Sequence, residues 1–304
     1  MPSWIPESVT ADPQAGAPRT QLGVRRPASR AWGRFRRHRP AAVGAVILLI
    51  FCLTALLAPV LTPYAPNKTD VASMLERPSW SHPMGTDELG RDLLTRILYS
   101  GRISLGLGLL AMTIAVSFGT VVGALAGYSG HALDNVLMRL TDLLLAFPGL
   151  FLLILMTSLF GTGLLSIALV LGGLRWMGVA RLVRAMFLSL KERDFVEAAR
   201  AAGATSFAVM WRHVLPNAWS PVIVAATLGV AEAIILESSL SFLGLGIQPP
   251  TATWGNMLRS AQDQIVQAPW TAFFPGLMIF LTVLSINHIG DAARDALDSR
   301  QARR

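Results

Sequence analysis

Long apolar runs alternate with short polar segments along most of the chain, which is the pattern of a protein that crosses a lipid bilayer several times. A helix needs about 20 mostly apolar residues to span the hydrocarbon core. The pattern therefore predicts an all-α integral membrane protein with six transmembrane helices. The predicted spans are about 40–61, 103–128, 136–160, 164–183, 221–243 and 270–289.

Composition supports the membrane class, because 53% of the residues are apolar, 14% are charged and the mean hydropathy is +0.51. The net charge of +8 is concentrated before the first span. A basic run beside a span is explained by retention on the cytoplasmic side and attraction to the lipid bilayer, so we expect no nucleic-acid partner. The basic residues are Arg19, Arg25, Arg26, Arg30, Arg34, Arg36, Arg37 and Arg39.

The distribution of positive charge also predicts sidedness. Six basic residues gather around the loop between the fourth and fifth spans, namely Arg181, Arg184, Lys191, Arg193, Arg200 and Arg212. The positive-inside rule places this loop in the cytoplasm, and counting spans then places both termini there. The predicted organisation is a disordered basic tail (1–39), a first span with an external loop (40–101), a core of five helices (102–291) and a cytoplasmic tail (292–304).

The predicted external loop contains four prolines and ends in a charged segment. From about Thr86 onward, the apolar positions fall on one helical face, and Arg91, Asp92 and Arg96 fall elsewhere. This pattern predicts an amphipathic helix along the outer membrane surface. Its charges are expected to be solvated and paired with one another.

Several residues within the predicted spans indicate helix contacts. Gly119, Gly123 and Gly127 are four residues apart, so they share one side of a helix and predict close helix packing. Arg139 and Asp142 lie one turn apart in the third span and are expected to pair.

Glu232 and Glu237 lie within the fifth predicted span. A carboxylate at this depth is costly in lipid, so both side chains are expected to face protein or water. One interpretation places them on the wall or gate of a translocation path. The other is a packing contact with a neighbouring helix, and the sequence alone leaves both open.

The longest charged interruption between apolar runs is 190–221. We predict a short helix in which Asp194 caps the start, Glu197 lies near the positive end of the helix dipole and Gly203 ends the helix in the left-handed conformation. The side chains of this helix are mostly small, because it contains Ala198, Ala199, Ala201 and Ala202. Its backbone can therefore approach another protein closely. A second helix is predicted from Ser206 to His213, and Pro216 is expected to stop it.

This segment resembles the EAA loop of ABC-importer permeases, in which a cytoplasmic coupling helix docks on the ATPase subunit. The resemblance rests on Glu197, Ala198, Ala199, Ala202, Gly203, Leu215 and Pro216. It implies that these residues couple the chain to an ATPase. The family usually has an aliphatic residue two places before the Leu-Pro pair, and this chain has His213. The alternative is an amphipathic surface helix that joins two spans.

Other segments resemble the dipeptide and oligopeptide branch of the same family, which also includes nickel and glutathione carriers. They are 82–87, 90–92, 239–246 and 254–257. The resemblance implies a type I ABC-importer permease of the bacterial inner membrane. Its expected partners are a homologous second permease, two P-loop ATPase subunits and an external substrate-binding protein.

The sequence itself indicates no enzyme. The only lysines are Lys68 and Lys191, neither follows a glycine, and no phosphate-binding loop is present. We therefore expect the chain to bind no cofactor, with ATP and Mg²⁺ held by the partner ATPase. No catalytic residue or metal site is predicted, since the five histidines lack metal-ligand spacing. An intramembrane hydrolase using Ser129 or Ser241 and an ion-coupled secondary transporter remain alternatives from other classes.

Overall fold

The computed structural model describes residues 38–297, and this part of the chain is built mainly from helices, with one long irregular segment at 62–92. One isolated β-bridge pairs Thr86 with Asp92. The helices are α1 (Arg39–Leu56), α2 (Ala58–Leu61), α3 (Leu93–Tyr128), α4 (His131–Leu145), α5 (Gly149–Phe160), α6 (Leu164–Leu190), α7 (Asp194–Ala201), α8 (Ser206–Ala208), α9 (Leu215–Phe242), α10 (Trp254–Ser260) and α11 (Trp270–Leu297). A π-helix, Val209–Val214, joins α8 to α9.

Five helices of the described residues are long and apolar enough to cross a membrane. They are α1, α3, α6, the continuous helix Ser206–Phe242 and α11. The pair formed by α4 and α5 passes the same test together but is bent by 90°, so it makes a sixth span if it counts as one. The bend falls at Pro148, within the predicted third span, because proline has no N–H to continue the helix ladder.

The core of the bundle is the contact between α3 and α6, which is flanked by α9. Small and branched residues such as Ala111 and Leu171 are fully buried there. On the other side, α11 packs against both α9 and α1. Residues 1–37 of the predicted tail 1–39, and residues 298–304 of the predicted tail 292–304, lie outside the described residues. The helix of the last span continues to Leu297, beyond the predicted start of a tail at 292.

The two ends of the bundle carry different structures. One end, which we call the α7 end, contains α7, the π-helix and the C-terminal ends of α6 and α11. The opposite end, which we call the α10 end, contains α10 and the segment 62–92. Trp270, at the start of α11, joins that helix to the segment 62–92 by donating from Nε1 to the Thr86 carbonyl at 3.3 Å.

The charged segment at the α10 end differs from its prediction as a solvated surface helix. The helix begins later, at Leu93, because Asp92 caps it by accepting from the Thr95 N–H at 2.8 Å. The same helix then continues through the predicted boundary at 101/102 to Tyr128. Gly85 and Gly90 have positive φ and turn the preceding chain back on itself.

The charges of this segment are paired as predicted, but they are buried rather than solvated. Asp87 accepts from Arg91 Nε at 2.7 Å and lies 3.4 Å from Arg96 Nε. Asp92 contacts His82 Nδ1 at 2.9 Å. Burial is tolerated because each carboxylate has several donors, including the backbone N–H groups of Leu89 and Arg91 on Asp87.

Candidate coupling surface and membrane path

The helix α7 presents a surface of small side chains at the α7 end. Glu197, Ala198, Ala201, Ala202 and Gly203 are exposed, whereas Ala199 is half-buried. Asp194 does not cap the helix as predicted, because Arg193 is the residue at the cap position and makes no side-chain hydrogen bond there. Asp194 and Glu197 instead lie in the first turn, and Arg200 lies in the last turn. Each charge is opposite in sign to the adjacent end of the helix dipole, which is favourable.

The inner side of α7 is anchored to the bundle by Val196. This side chain is fully buried in a cluster with Phe187 of α6, Val209 and Val214 of the π-helix, and Leu215 of α9. The apolar anchor connects α7 to both helices that flank the loop. The exposed alanine side of α7 is thereby held in one orientation relative to α6 and α9.

Gly203 ends α7 in the left-handed conformation that the sequence predicted, with a φ of +84°. The Gly203 N–H donates to the Arg200 carbonyl at 2.9 Å and the Ala204 N–H donates to the Ala199 carbonyl at 3.0 Å. These two bonds form a Schellman motif. A Cβ on Gly203 would have no atom within 4 Å, so the space beside it is open.

Pro216 does not stop the second helix, which differs from the prediction. The helix runs from Ser206 to Phe242, with Leu215 buried and Pro216 exposed. The π-helix Val209–Val214 ends directly before the Leu215-Pro216 pair, which continues the helix, and it replaces the usual hydrogen-bond ladder over its six residues. Pro216 lies in the first turn of α9, where its missing N–H is tolerated, so the helix continues into the membrane span.

The three glycines of α3 lie against α6. A Cβ at Gly119 would meet the Trp176 carbonyl oxygen at 2.6 Å, and a Cβ at Gly127 would meet Phe187 Cβ at 2.6 Å. A Cβ at Gly123 would overlap the Ala180 carbonyl oxygen. Since no larger residue fits without movement, the glycine side of α3 sets the close approach of these two helices.

Two ion pairs join α4 to α6, and neither is the predicted pair of Arg139 with Asp142. Asp142 pairs with Arg181, and Asp134 accepts two hydrogen bonds from Arg184. The partner comes from another helix because the bend between α4 and α5 lays α4 beside the C-terminal half of α6. The spacing of charges within one helix could not predict these two ion pairs, because each pair joins residues of different helices.

The two glutamates of α9 occupy different environments. Glu237 is fully buried and accepts from the Ser241 hydroxyl at 2.7 Å, one turn further along α9. Glu232 is 54% exposed and forms an ion pair with Arg175 of α6, whose side chain is 31% exposed. Glu237 therefore faces the interior of the chain, whereas Glu232 lies on a wall that the described part of the chain leaves open.

Arg175 was absent from the predicted site residues. It lies in the apolar run of the fourth span, and an isolated arginine at that depth was the available signal. An arginine and a glutamate in separate predicted spans are each costly alone, so they are candidates for pairing. The sequence could not select this partner, because 57 positions separate them and several other charges compete.

A cavity of about 720 Å³ opens between α6, α9 and α11 near the α7 end. Its polar residues, Asn217, Ser220 and Arg294, lie toward that end, and its other walls are mainly apolar. Leu182 of α6 and Leu228 of α9 are among those apolar residues. Within the described residues, no group of three or more His, Cys, Asp or Glu side chains is placed to hold a metal ion.

Two family models match the sequence. The model described as "Binding-protein-dependent transport system inner membrane component" matches residues 119–303, which include α7 and both flanking spans. The model described as "N-terminal TM domain of oligopeptide transport permease C" matches residues 26–78. Together they cover the first predicted span and most of the predicted core.

Curated relatives match nearly the whole chain. The dipeptide transport system permease protein DppC of Alkalihalophilus pseudofirmus is 40% identical over 292 residues, which is 96% of each chain. The glutathione transport system permease protein GsiD of Pectobacterium atrosepticum is 41% identical over 278 residues, or 91% of this chain and 92% of the relative.

A solved structure has a similar fold. The methionine ABC transporter MetNI in an inward-facing conformation matches with a TM-score of 0.53 and 18% identity, over 66% of this chain and 96% of the matched chain. The predicted all-α, type I permease fold is thereby confirmed. The chain belongs to the family of binding-protein-dependent inner membrane components and is a permease subunit of the dipeptide and oligopeptide branch of ABC importers.

Proposed function

We propose that this permease imports di- and oligopeptides and forms one half of their translocation path. The other half is a homologous second permease. Two P-loop ATPase subunits bind ATP and Mg²⁺, and an external binding protein delivers the substrate. Support for the peptide substrate comes from the relative named as a dipeptide permease, and glutathione, itself a peptide, is the alternative indicated by the second relative.

The observation that carries the proposal is the exposed alanine side of α7. Ala198, Ala201 and Ala202 leave the helix backbone accessible, and Gly203 ends the helix without a side chain. A partner groove can therefore approach this helix closely. We assign the ATPase contact to this surface, with Glu197 at its edge and Leu215 holding the loop to the bundle.

The connection between α7 and the spans accounts for coupling. The helix Ser206–Phe242 has no break at Pro216, and Val196 joins α7 to the residues at its start. A displacement of α7 by ATP-driven closure of the ATPase pair is transmitted along α9 and α6. The path then changes from inward-facing to outward-facing, and ATP hydrolysis resets it.

The sidedness follows from the same assignment. Docking on a soluble ATPase places the α7 end in the cytoplasm of a bacterium, together with both termini. The α10 end then faces outward and receives the binding protein. Of the two glutamates, Glu232 lines the path and Glu237 supports the packing alternative, because Glu237 is enclosed by its own chain.

Site-directed crosslinking in native membranes tests this function. A cysteine at Ala201, in a chain in which Cys52 is replaced by alanine, is expected to capture a P-loop ATPase that mass spectrometry identifies. A matched cysteine at Val266, which is 91% exposed at the α10 end, is expected to capture none. Labelling of the Ala201 cysteine by an impermeant reagent from outside the cell would contradict the proposal.

A further inference from the structure

Arg175 and Glu232 form an ion pair at membrane depth on an open wall of the chain. Arg175 lies 11 residues after the start of α6, or about 17 Å along it, and Glu232 lies 10 residues before the end of α9, or about 15 Å from it. Both positions are near the middle of a bilayer about 30 Å thick. Lipid at this depth is an unfavourable environment for charges that are only partly covered, even when paired.

The pair continues the wall of the cavity. On α9, Glu232 lies one turn beyond Leu228, and on α6, Arg175 lies two turns beyond Leu182. Residues spaced by four or seven positions share a helix face, so both charges extend the two strips that line the cavity. The cavity is polar toward the α7 end and apolar toward the pair.

A substrate that enters this apolar part loses hydration of its charged groups. A free peptide carries an ammonium and a carboxylate, and each needs a partner of opposite charge in a poorly hydrated path. The described residues offer one cation and one anion together at this depth of the wall, on two different helices. While the path is empty, the two side chains neutralise each other.

We propose that Arg175 and Glu232 form a transit site for zwitterionic substrates, in which the guanidinium receives the substrate carboxylate and the carboxylate receives the ammonium. The inference rests on the proposed import of peptides. It adds that this subunit, and not the binding protein alone, selects substrates by charge. Arg175 suits the role because a guanidinium binds a carboxylate through two parallel hydrogen bonds.

The test measures charge selectivity in the intact complex, reconstituted in vesicles with its own binding protein. Uptake of a dipeptide with an acidic side chain is divided by uptake of one with a basic side chain. Glu232→Gln leaves an unpaired positive charge on the wall, so this ratio is expected to rise about threefold or more. Arg175→Gln leaves an unpaired negative charge and is expected to lower the ratio by a similar factor.

The binding protein is the same in every preparation, so its own selectivity cancels when each ratio is divided by that of the wild type. Asp142→Asn is the matched control, because it breaks another partly exposed ion pair of α6, with Arg181, near the α7 end. The control is expected to leave the ratio unchanged. Ratios that do not move, or that move in the same direction in both variants, would overturn the transit site.

A double variant, Arg175→Met with Glu232→Leu, distinguishes a role of the ion pair in substrate transit from a role in stability alone. Replacing both charges by apolar residues removes the unpaired charge that destabilises a single variant. Uptake of both dipeptides is expected to fall, whereas wild-type uptake would overturn the inference. If the wild-type complex itself shows no ATP-dependent peptide uptake, the proposed function fails instead.

Discussion

Gly123 of α3 lies so close to Ala180 of α6 that a Cβ on the glycine would overlap the Ala180 carbonyl oxygen. The obstacle is helix backbone, which cannot rotate away as a side chain can. Gly106 lies in the same helix, but a Cβ there would have no atom within 4 Å. The same substitution at these two positions therefore separates helix packing from helix propensity.

Gly123→Ala is expected to lower the stability of the detergent-solubilised chain by about 1–3 kcal/mol, because α3 and α6 have to move apart. Gly106→Ala is expected to leave stability unchanged or slightly raised, since alanine favours a helix more than glycine does. Thermal unfolding midpoints of the two variants provide the comparison. Equal midpoints would show that the glycine contact does not limit the packing of these helices.

Asp87 is expected to be a stability determinant of the α10 end. Asp87→Asn leaves the buried guanidinium groups of Arg91 and Arg96 without their shared carboxylate, at a cost of about 3–5 kcal/mol. Glu88→Gln removes a more exposed partner of Arg91 and is expected to cost less than about 1 kcal/mol. Protease protection of the segment 62–92 measures both effects, and similar protection in the two variants would contradict the burial of this cluster.

Asp134 is expected to matter for the docking of α4, and Arg139 is not. Asp134→Asn removes the carboxylate that accepts two hydrogen bonds from Arg184, and we expect a loss of about 1–2 kcal/mol. Arg139→Ala is the control, because Asp142 pairs with Arg181 instead. The midpoint of thermal unfolding should fall only in the Asp134 variant. A larger loss in the Arg139 variant would favour the pairing that sequence spacing predicted.

Gly203→Asp is expected to abolish stimulation of the ATPase by substrate-loaded binding protein, because it places a charge and a side chain at the end of α7. Gly161→Asp is a closely matched control. Gly161 has a φ of +82° against +84° for Gly203, and neither position has an atom within 4 Å of a Cβ. The backbone strain is therefore similar, but Gly161 lies between α5 and α6 and away from α7.

The ATPase activity of the two purified complexes provides the measurement, with the amount of assembled complex as the reference. Retained stimulation in the Gly161 variant and its loss in the Gly203 variant would assign the effect to the α7 surface. Equal loss in both variants would attribute it to strain at a left-handed glycine.

Local patterns along the chain were sufficient for much of the fold. Apolar length located the spans, because the thickness of a bilayer sets how many residues a helix needs. The bend at Pro148 and the left-handed end at Gly203 also follow from local chemistry, since each depends on the backbone of one residue type. The run of alanines that forms the exposed side of α7 was likewise evident from the short stretch 194–202.

Contacts between distant helices decided the rest. Glu232 and Glu237 are five residues apart and both acidic, but Glu232 is paired with Arg175 on an open wall, whereas Glu237 is fully buried and accepts from Ser241. Asp142 likewise pairs with Arg181 of α6 and not with Arg139 of its own helix, because α6 packs beside α4. The partner of a charge depends on which helix packs beside it, and helical periodicity gives the face of a residue without identifying what that face meets.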